Sequence, residues 1–319
     1  MKLSKLVVLS LTLTMSVSVA QADTWPQKPI RIIVPFPAGS PGDTVARLMQ
    51  PDLSKVLGQA VVIDNKPGAG GNLGTQEAAR ATDGHTFLIG PDSVLTIGPY
   101  LYKKLGFKPD DDLTVLTQVS TAMLMLVCHP GANIKSVADF SVKAKAENLT
   151  YASGGQGSPS HMAMELLSST LGLKLTHVAY KGPSPAAQDL LAGLVPCAFL
   201  ASNVVGPYVK DGKLVALGVS SLRRATGSPQ VPTLAEAGVP GFDASFFELL
   251  IVPKSTPSEV AQKLQQAVLA ALAKPETRAR MLSADLVSVG STATEALART
   301  RADADKWGRI AAKLNLQLD

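Results

Sequence analysis

Short runs of apolar, β-branched residues alternate with longer amphipathic segments along most of the chain. Residues 30–34 read Ile-Arg-Ile-Ile-Val and predict a strand, and the spacing of apolar residues from 43 to about 57 predicts a helix. Asp43 stands where that helix should begin, and we expect it to be the N-cap. Strands that alternate with helices indicate βαβ units with parallel strands, and therefore an α/β fold.

The same alternation extends beyond the first two elements. Further strands are predicted at 60–63, 86–89, 123–128, 149–152, 176–179, 197–200 and 214–219. Further helices are predicted at 72–80, 137–146, 160–171 and 185–191, and at 257–273, 276–282 and 294–314 in the last third of the chain. Ser160 is the expected N-cap of its helix.

The first 22 residues have a different pattern. Lys2 and Lys5 precede an apolar run over residues 6–20, and Ala20-Gln21-Ala22 is a small-x-small cleavage site. The apolar run is shorter than a membrane-spanning helix requires. These features predict a cleaved secretory signal peptide over residues 1–22 and an exported mature chain with room for two domains.

The charge of the chain is mildly positive. The formal net charge is +5, of which the two signal-peptide lysines contribute +2. No dense Lys/Arg cluster indicates nucleic-acid binding, and the remaining positive charge is compatible with an anionic ligand.

Two cysteines, Cys128 and Cys197, each lie in an apolar, strand-like run. Export permits a disulfide, but two buried free thiols are the interpretation we favour, because the sequence does not give their separation. His161 and Glu165 are spaced to share a helix face, yet two groups do not form a metal site. We therefore expect neither a metal nor a cofactor.

Three glycine-rich loops, at residues 38–42, 68–71 and 154–157, each precede a predicted helix. Glycine lets the backbone approach a ligand closely, and a helix N-terminus favours an anion. The loops match neither the P-loop nor the dinucleotide-binding pattern. Ser158 and His161 lie in the third loop region, where we expect a ligand; because no G-x-S-x-G motif surrounds them, hydrolysis is the weaker hypothesis.

These residues together resemble the tripartite tricarboxylate transporter receptor family, also called the Bug or TctC family. The matching runs are Trp25 to Phe36, the glycine loop ending at Asp43, Val62 to Asn72, Asp83 to Thr86, Tyr151 to Gly154, Gly157-Ser158, His161, Tyr180 to Gly182 and Val231 to Gly238. They cover nearly the whole mature chain in the same order.

The resemblance implies a periplasmic binding protein type II-like fold with two α/β domains, a two-segment hinge and a ligand cleft between the domains. The implied domain 1 comprises residues 23–121 and 247–319, including the C-terminal helices, and domain 2 comprises residues 122–246. The crossing segments are expected near residues 120–123 and 243–247.

The resemblance also implies the function. We expect a periplasmic receptor, a monomer and not an enzyme, that captures a small organic carboxylate by domain closure and delivers it to integral membrane subunits of a tripartite tricarboxylate-type transporter. The alternatives are a sensory binding protein that signals to a membrane kinase and, less favoured, a secreted carboxylic-ester hydrolase.

Both domains should supply ligand-binding residues. By position in the family motifs and beside them, the expected residues are Phe36, Ala38, Gly39, Ser40, Asp43, Asn72, Ser93, Ser153, Gly157, Ser158, His161, Lys181, Ser202, Phe247 and Glu248.

The sequence departs from the family pattern at three places. Ser40 replaces a second glycine, and Leu200-Ala201 replaces an acidic residue that many members carry. Glu248 replaces the glycine of an aromatic–aromatic–glycine run. We favour Glu248 as a solvated hinge residue, and the alternative is an acid inside the cleft.

Overall fold

The computed structural model describes residues 25–318, so the predicted signal peptide lies outside the described residues. The strands are β1 (Ile30–Val34), β2 (Val61–Asn65), β3 (Thr86–Pro91), β4 (Leu113–Ala122), β5 (Leu124–Cys128), β6 (Thr150–Ser153), β7 (Thr176–Ala179), β8 (Cys197–Ala201), β9 (Val215–Val219), β10 (Phe246–Pro253) and β11 (Val287–Ser288). The helices are α1 (Pro41–Leu57), α2 (Asn72–Ala79), α3 (Ser93–Thr96), α4 (Gly98–Leu101), α5 (Pro109–Asp112), α6 (Val137–Ala146), α7 (Pro159–Leu171), α8 (Pro183–Leu191), α9 (Ser202–Lys210), α10 (Ser258–Ala273), α11 (Pro275–Ser283) and α12 (Ala293–Lys313). None of these helices is both long and apolar enough to cross a membrane.

The strands form two sheets, which confirms the predicted α/β fold. The first sheet has the order β11-β4-β10-β3-β1-β2, and the second has the order β7-β6-β8-β5-β9. The sheets are mixed, and not wholly parallel as the alternation suggested. In the first sheet β10 runs antiparallel to β3 and β4, and in the second β5 runs antiparallel to β8 and β9.

The chain passes between the two sheets at the ends of β4 and β10. Residue 123 alone separates β4 from β5, and β10 returns the chain to the first sheet, where it pairs with β4 along its whole length. The sequence reading missed both strands, because β4 mixes Thr and Gln with its apolar residues. The expected domain boundaries at 121/122 and 246/247 remain a prediction.

Two helix starts differ from the expectation. α1 begins at Pro41 with Ser40 at the N-cap, so Asp43 is the third helical residue. α7 begins at Pro159, and the Ser158 side chain caps it by accepting the backbone N–H of His161. Proline is favoured at the first helical position because it has no backbone N–H, and an N–H at that position would find no acceptor within the helix. Both caps are therefore the residue before the proline.

The cysteines form a disulfide, so the expectation of two free thiols was wrong. Cys128 of β5 and Cys197 of β8 are direct partners in the antiparallel ladder, with Cα atoms 4.0 Å apart. The sequence could not show that these two strands are neighbours, because the cysteines lie 69 positions apart in the chain.

We predict that replacing both cysteines by serine lowers the free energy of unfolding by about 2–4 kcal/mol, because the bond closes a long loop in the unfolded chain. Urea unfolding of the double variant and of the oxidised protein measures the difference. Equal midpoints and slopes would contradict a stabilising bond.

Candidate ligand-binding cleft

A small cavity of about 40 Å³ lies between the two sheets. The residues that line it are Val34, Phe36, Ser40, Pro41, Gly42, Pro91, Leu124, Gly154, Ser158, Pro159, Ser160, Pro183, Ala201, Phe246 and Glu248. The loops after β1 and β6 reach it, as do the first residues of α1, α7 and α8. Ligand sites in α/β proteins lie at this carboxyl end of the strands.

The first turn of α1 presents hydrogen-bond donors to the cavity. Helix geometry leaves the backbone N–H groups of Gly42 and Asp43 without an intrahelical acceptor. The side chain of Ser40 does not cap the helix, and its Oγ is buried without a hydrogen-bond partner. An anion placed here would satisfy these donors and interact favourably with the helix dipole.

Asp43 holds the loop in front of α1. Its buried carboxylate accepts hydrogen bonds from the backbone N–H of Gly39 at 2.9 Å, from Arg47 Nε at 2.9 Å and from Asn65 Nδ2 at 3.0 Å. Burial alone would raise the pKa of Asp43, but these hydrogen bonds outweigh it and lower the pKa. Asp43 therefore positions the loop and stays ionised, although it does not line the cavity.

In the loop after β6, backbone N–H groups already donate hydrogen bonds to neighbouring side chains. The N–H groups of Gly154 and Gly157 donate to Ser160 Oγ at 2.8 Å and to His161 Nδ1 at 3.2 Å. The N–H of Gly155 donates to Ser153 Oγ at 3.1 Å. The loop is thus fixed in shape, and the open backbone donors lie on the α1 side of the cavity.

His161 and His177 support this loop from behind. Their rings stack with centroids 4.2 Å apart, and His177 Nε2 lies 2.6 Å from Ser153 Oγ. Burial lowers the pKa of His161 to about 3 and that of His177 to about 4, and for His161 the neighbouring His177 adds to the effect. Both rings are therefore neutral near pH 7.

Glu248 is an acid inside the cleft, so the favoured expectation of a solvated hinge residue was wrong. Its side chain is 1% exposed and lines the cavity, and its Oε2 has no hydrogen-bond partner. Burial, with a smaller contribution from the charge of Asp92, raises the pKa of Glu248 to about 8.

Strand alternation places the two aromatic residues before Glu248 on opposite faces of β10. Phe246 lines the cavity with Glu248. Phe247, which we expected in the cleft, is fully buried on the other face, where the Arg299 guanidinium lies 4.7 Å from its ring centroid.

Several expected residues lie beside the cavity and not on its wall. Lys181 lines an outer pocket on the far side of Phe36, and Ser202 Oγ donates to the Met123 carbonyl at 3.2 Å. Asn72 and Ser93 are buried, and their side-chain polar atoms have no partners among the described residues.

Side chains and backbone groups from the two sheets meet across the cleft. Ser184 Oγ donates to the Ala38 carbonyl at 2.9 Å, and Asn203 Nδ2 donates to the Gly39 carbonyl at 3.1 Å. Tyr102 closes the outer side by donating to the Gln156 carbonyl at 2.9 Å. These bonds define a closed cleft. Sequence reasoning missed all three donors, although Asn203 lies only two residues after the end of the apolar strand β8.

Within residues 25–318, no group of three or more His, Cys, Asp or Glu side chains is arranged to hold a metal ion. The polar atoms at the cavity are instead hydroxyl groups, backbone amides and one carboxyl group.

The sequence model described as "Tripartite tricarboxylate transporter family receptor" matches residues 45–316. Protein BugT of Bordetella pertussis is 36% identical over 255 residues, which cover 79% of this chain and 78% of BugT. The solved structure of the periplasmic binding protein BugD is 30% identical with a TM-score of 0.87, and the match covers 92% of this chain and 100% of BugD.

Two further solved structures contain carboxylates. R. palustris Rpa4515 with adipate is 28% identical with a TM-score of 0.88, and covers 92% of this chain and 100% of its own. MatC from Rhodopseudomonas palustris with bound malate is 30% identical with a TM-score of 0.85, and covers 90% of this chain and 99% of its own.

We predict that Asp43→Ala weakens the affinity for any anionic ligand of the cleft by about tenfold and lowers the free energy of unfolding by about 2 kcal/mol, because the Gly39 N–H and Arg47 lose their charged acceptor. Isothermal titration and urea unfolding give both values. Asp110→Ala, at an exposed position, is the control, and an affinity equal in both variants would remove Asp43 from the site.

We also predict that Glu248 makes stability depend on pH. The pKa of Glu248 is about 8 in the folded protein and near 4.5 in the unfolded chain. The contribution of Glu248 to the free energy of unfolding is therefore complete below pH 4.5 and is lost as the pH rises towards 8. Glu248→Gln removes this loss. Its melting temperature relative to the unmodified protein should therefore rise between pH 5 and pH 8 and then level off. A difference that does not change with pH would contradict a buried, titrating Glu248.

Proposed function

The chain belongs to the tripartite tricarboxylate transporter receptor family, and on that premise we propose that it captures a small organic carboxylate and delivers it to the membrane subunits of a transporter of this type. Its general role is that of a solute-binding receptor, as for its structural relatives. The class of ligand and the transport step are the parts we propose.

The observation that carries the proposal is the first turn of α1 at the cavity. The N–H groups of Gly42 and Asp43 and the hydroxyl of Ser40 can together donate three hydrogen bonds to one carboxylate. Hydrogen bonds to a charged acceptor are worth roughly 1.5–3 kcal/mol each, which is enough for binding in the micromolar range. Relatives with bound adipate and malate support a carboxylate as the ligand class.

Capture follows from closure of the cleft. A ligand on α1 also meets Ser158 and Ser160 at the start of α7, so it contacts both sheets at once. Such a ligand binds the closed form more tightly than the open form and shifts the population towards it. The hydrogen bonds from Ser184 and Asn203 to the loop before α1 also stabilise the closed form. The membrane subunits would recognise this closed shape.

The predicted signal peptide supports a location in the periplasm, where such a receptor meets its transporter. We propose that the protein performs no chemistry on its ligand. Ser158 Oγ contacts Ser160 Oγ and the backbone N–H of His161, and no described hydrogen bond joins it to a histidine ring. Ser153, which pairs with His177, is fully buried, and neither residue lines the cavity.

We predict that a bound carboxylate raises the melting temperature of the mature protein. At a ligand concentration of 100 times Kd, binding adds about 2.7 kcal/mol to the free energy of unfolding. This corresponds to a rise in melting temperature of about 5 °C. A thermal-shift screen with malate, adipate and related acids measures this. The matched amides, which have the same shape without the charge, are the controls. Equal shifts for acid and amide, or none for any acid, would contradict the proposal.

A further inference from the structure

Of residues 25–318, which the structure describes, Glu248 is the one acidic or basic residue that lines the cavity. It lies on β10 between Pro91 of β3 and Ser120 of β4 in the strand register, and its carboxyl group points into a largely apolar space. Buried polar atoms almost always have hydrogen-bond partners, yet Oε2 has none in the described chain. The missing partner indicates that a bound molecule completes this site.

The carboxyl group of Glu248 lies against the first turn of α1. A Cβ atom built on Gly42 would be 2.9 Å from Glu248 Oε2, so glycine at this position leaves room for the acid. A ligand carboxylate on the N–H groups of Gly42 and Asp43 would therefore be an immediate neighbour of Glu248. Two ionised carboxylates that are immediate neighbours repel each other strongly in a buried site.

Among the described residues, no cationic side chain lines the cavity to reduce that repulsion. Towards α1, Asp43 is already paired with Arg47. Beyond β3, burial raises the pKa of Asp92 to about 7, so this group adds negative charge once the pH exceeds that value. On α7, His161 is neutral because its burial lowers its pKa.

The remaining nearby charges lie behind β10. Arg299 of α12 stacks on the ring of Phe247, on the face of β10 away from the cavity, and Asp303 lies on the same helix. These groups do not supply a positive charge to the cavity side. The neutral acid is thus the form of Glu248 that can remain beside a ligand carboxylate.

We propose that Glu248 is a specificity-determining residue that contacts the ligand in its protonated form and donates a hydrogen bond to the carboxylate held on the first turn of α1. This inference rests on the proposed function and extends it to the ligand class. The ligand is an ionised acid whose substituent next to this carboxylate is uncharged, such as a hydroxy or unsubstituted acid, and not an ammonium-bearing acid.

Ligand binding is then linked to a proton. The pKa of Glu248 is raised to about 8, so the binding form is present at neutral pH and is lost above pH 8. With the proton retained in the complex, affinity falls about tenfold for each pH unit above 8. At pH 8 itself, binding should take up about half a proton per ligand.

The test is isothermal titration with malate and aspartate, which differ only in carrying a hydroxyl or an ammonium group, from pH 6 to pH 9.5. The unmodified protein should bind malate about tenfold more weakly at pH 9 than at pH 7. Glu248→Gln, whose side-chain amide can still donate a hydrogen bond but does not titrate, should keep most of the affinity at pH 7 and lose the roughly tenfold fall between pH 7 and pH 9. Glu259→Gln, at an exposed position, is the matched control and should keep both the affinity and the pH dependence.

Proton uptake at pH 8, measured in two buffers of different ionisation enthalpy, needs no variant and should give about half a proton per malate. A pH dependence that persists unchanged in Glu248→Gln would overturn the inference, as would a preference for aspartate that this variant loses. Absence of malate binding at pH 6, where Glu248 is protonated, together with no hit among the screened acids, would instead overturn the proposed function, and this inference with it.

Discussion

The first turn of α1 has backbone N–H groups that the helix cannot satisfy, and the rest of the cleft is arranged around them. Pro41 fixes the start of the helix without contributing a donor of its own. Asp43 could compete for these donors, but its carboxylate already accepts from Gly39, Arg47 and Asn65. The donors therefore remain open towards the cavity, beside the unpartnered hydroxyl of Ser40.

The second sheet contributes a rigid wall to the cleft, and the N–H groups of its loop after β6 already have acceptors. The hydroxyl groups of Ser153 and Ser160 and the ring of His161 satisfy the loop after β6, and the stacked histidines fix it from behind. Closure then brings this rigid wall against the N-terminus of α1, where the helix dipole is positive. Because β10 is both a crossing strand and the strand that carries Glu248, the acid stays next to α1 within the first sheet.

The sequence predicted those parts of the molecule that local patterns determine. The helix at 137–146 matches α6, and the glycine loops at 38–42 and 154–157 do meet at one cavity. Pairing between distant strands is not local, so the Cys128–Cys197 bond was missed. In the run from Phe246 to Pro253, apolar residues occupy both faces, so the pattern could not show that Glu248 faces the cavity and Phe247 faces α12.

A crystal structure of the mature protein with its bound acid tests this account most directly. We expect one ligand carboxylate within hydrogen-bond distance, about 2.7–3.2 Å, of the backbone nitrogens of Gly42 and Asp43 and close to Ser40 Oγ. A ligand whose carboxylates contact only the outer pocket near Lys181, with the first turn of α1 left to water, would contradict it.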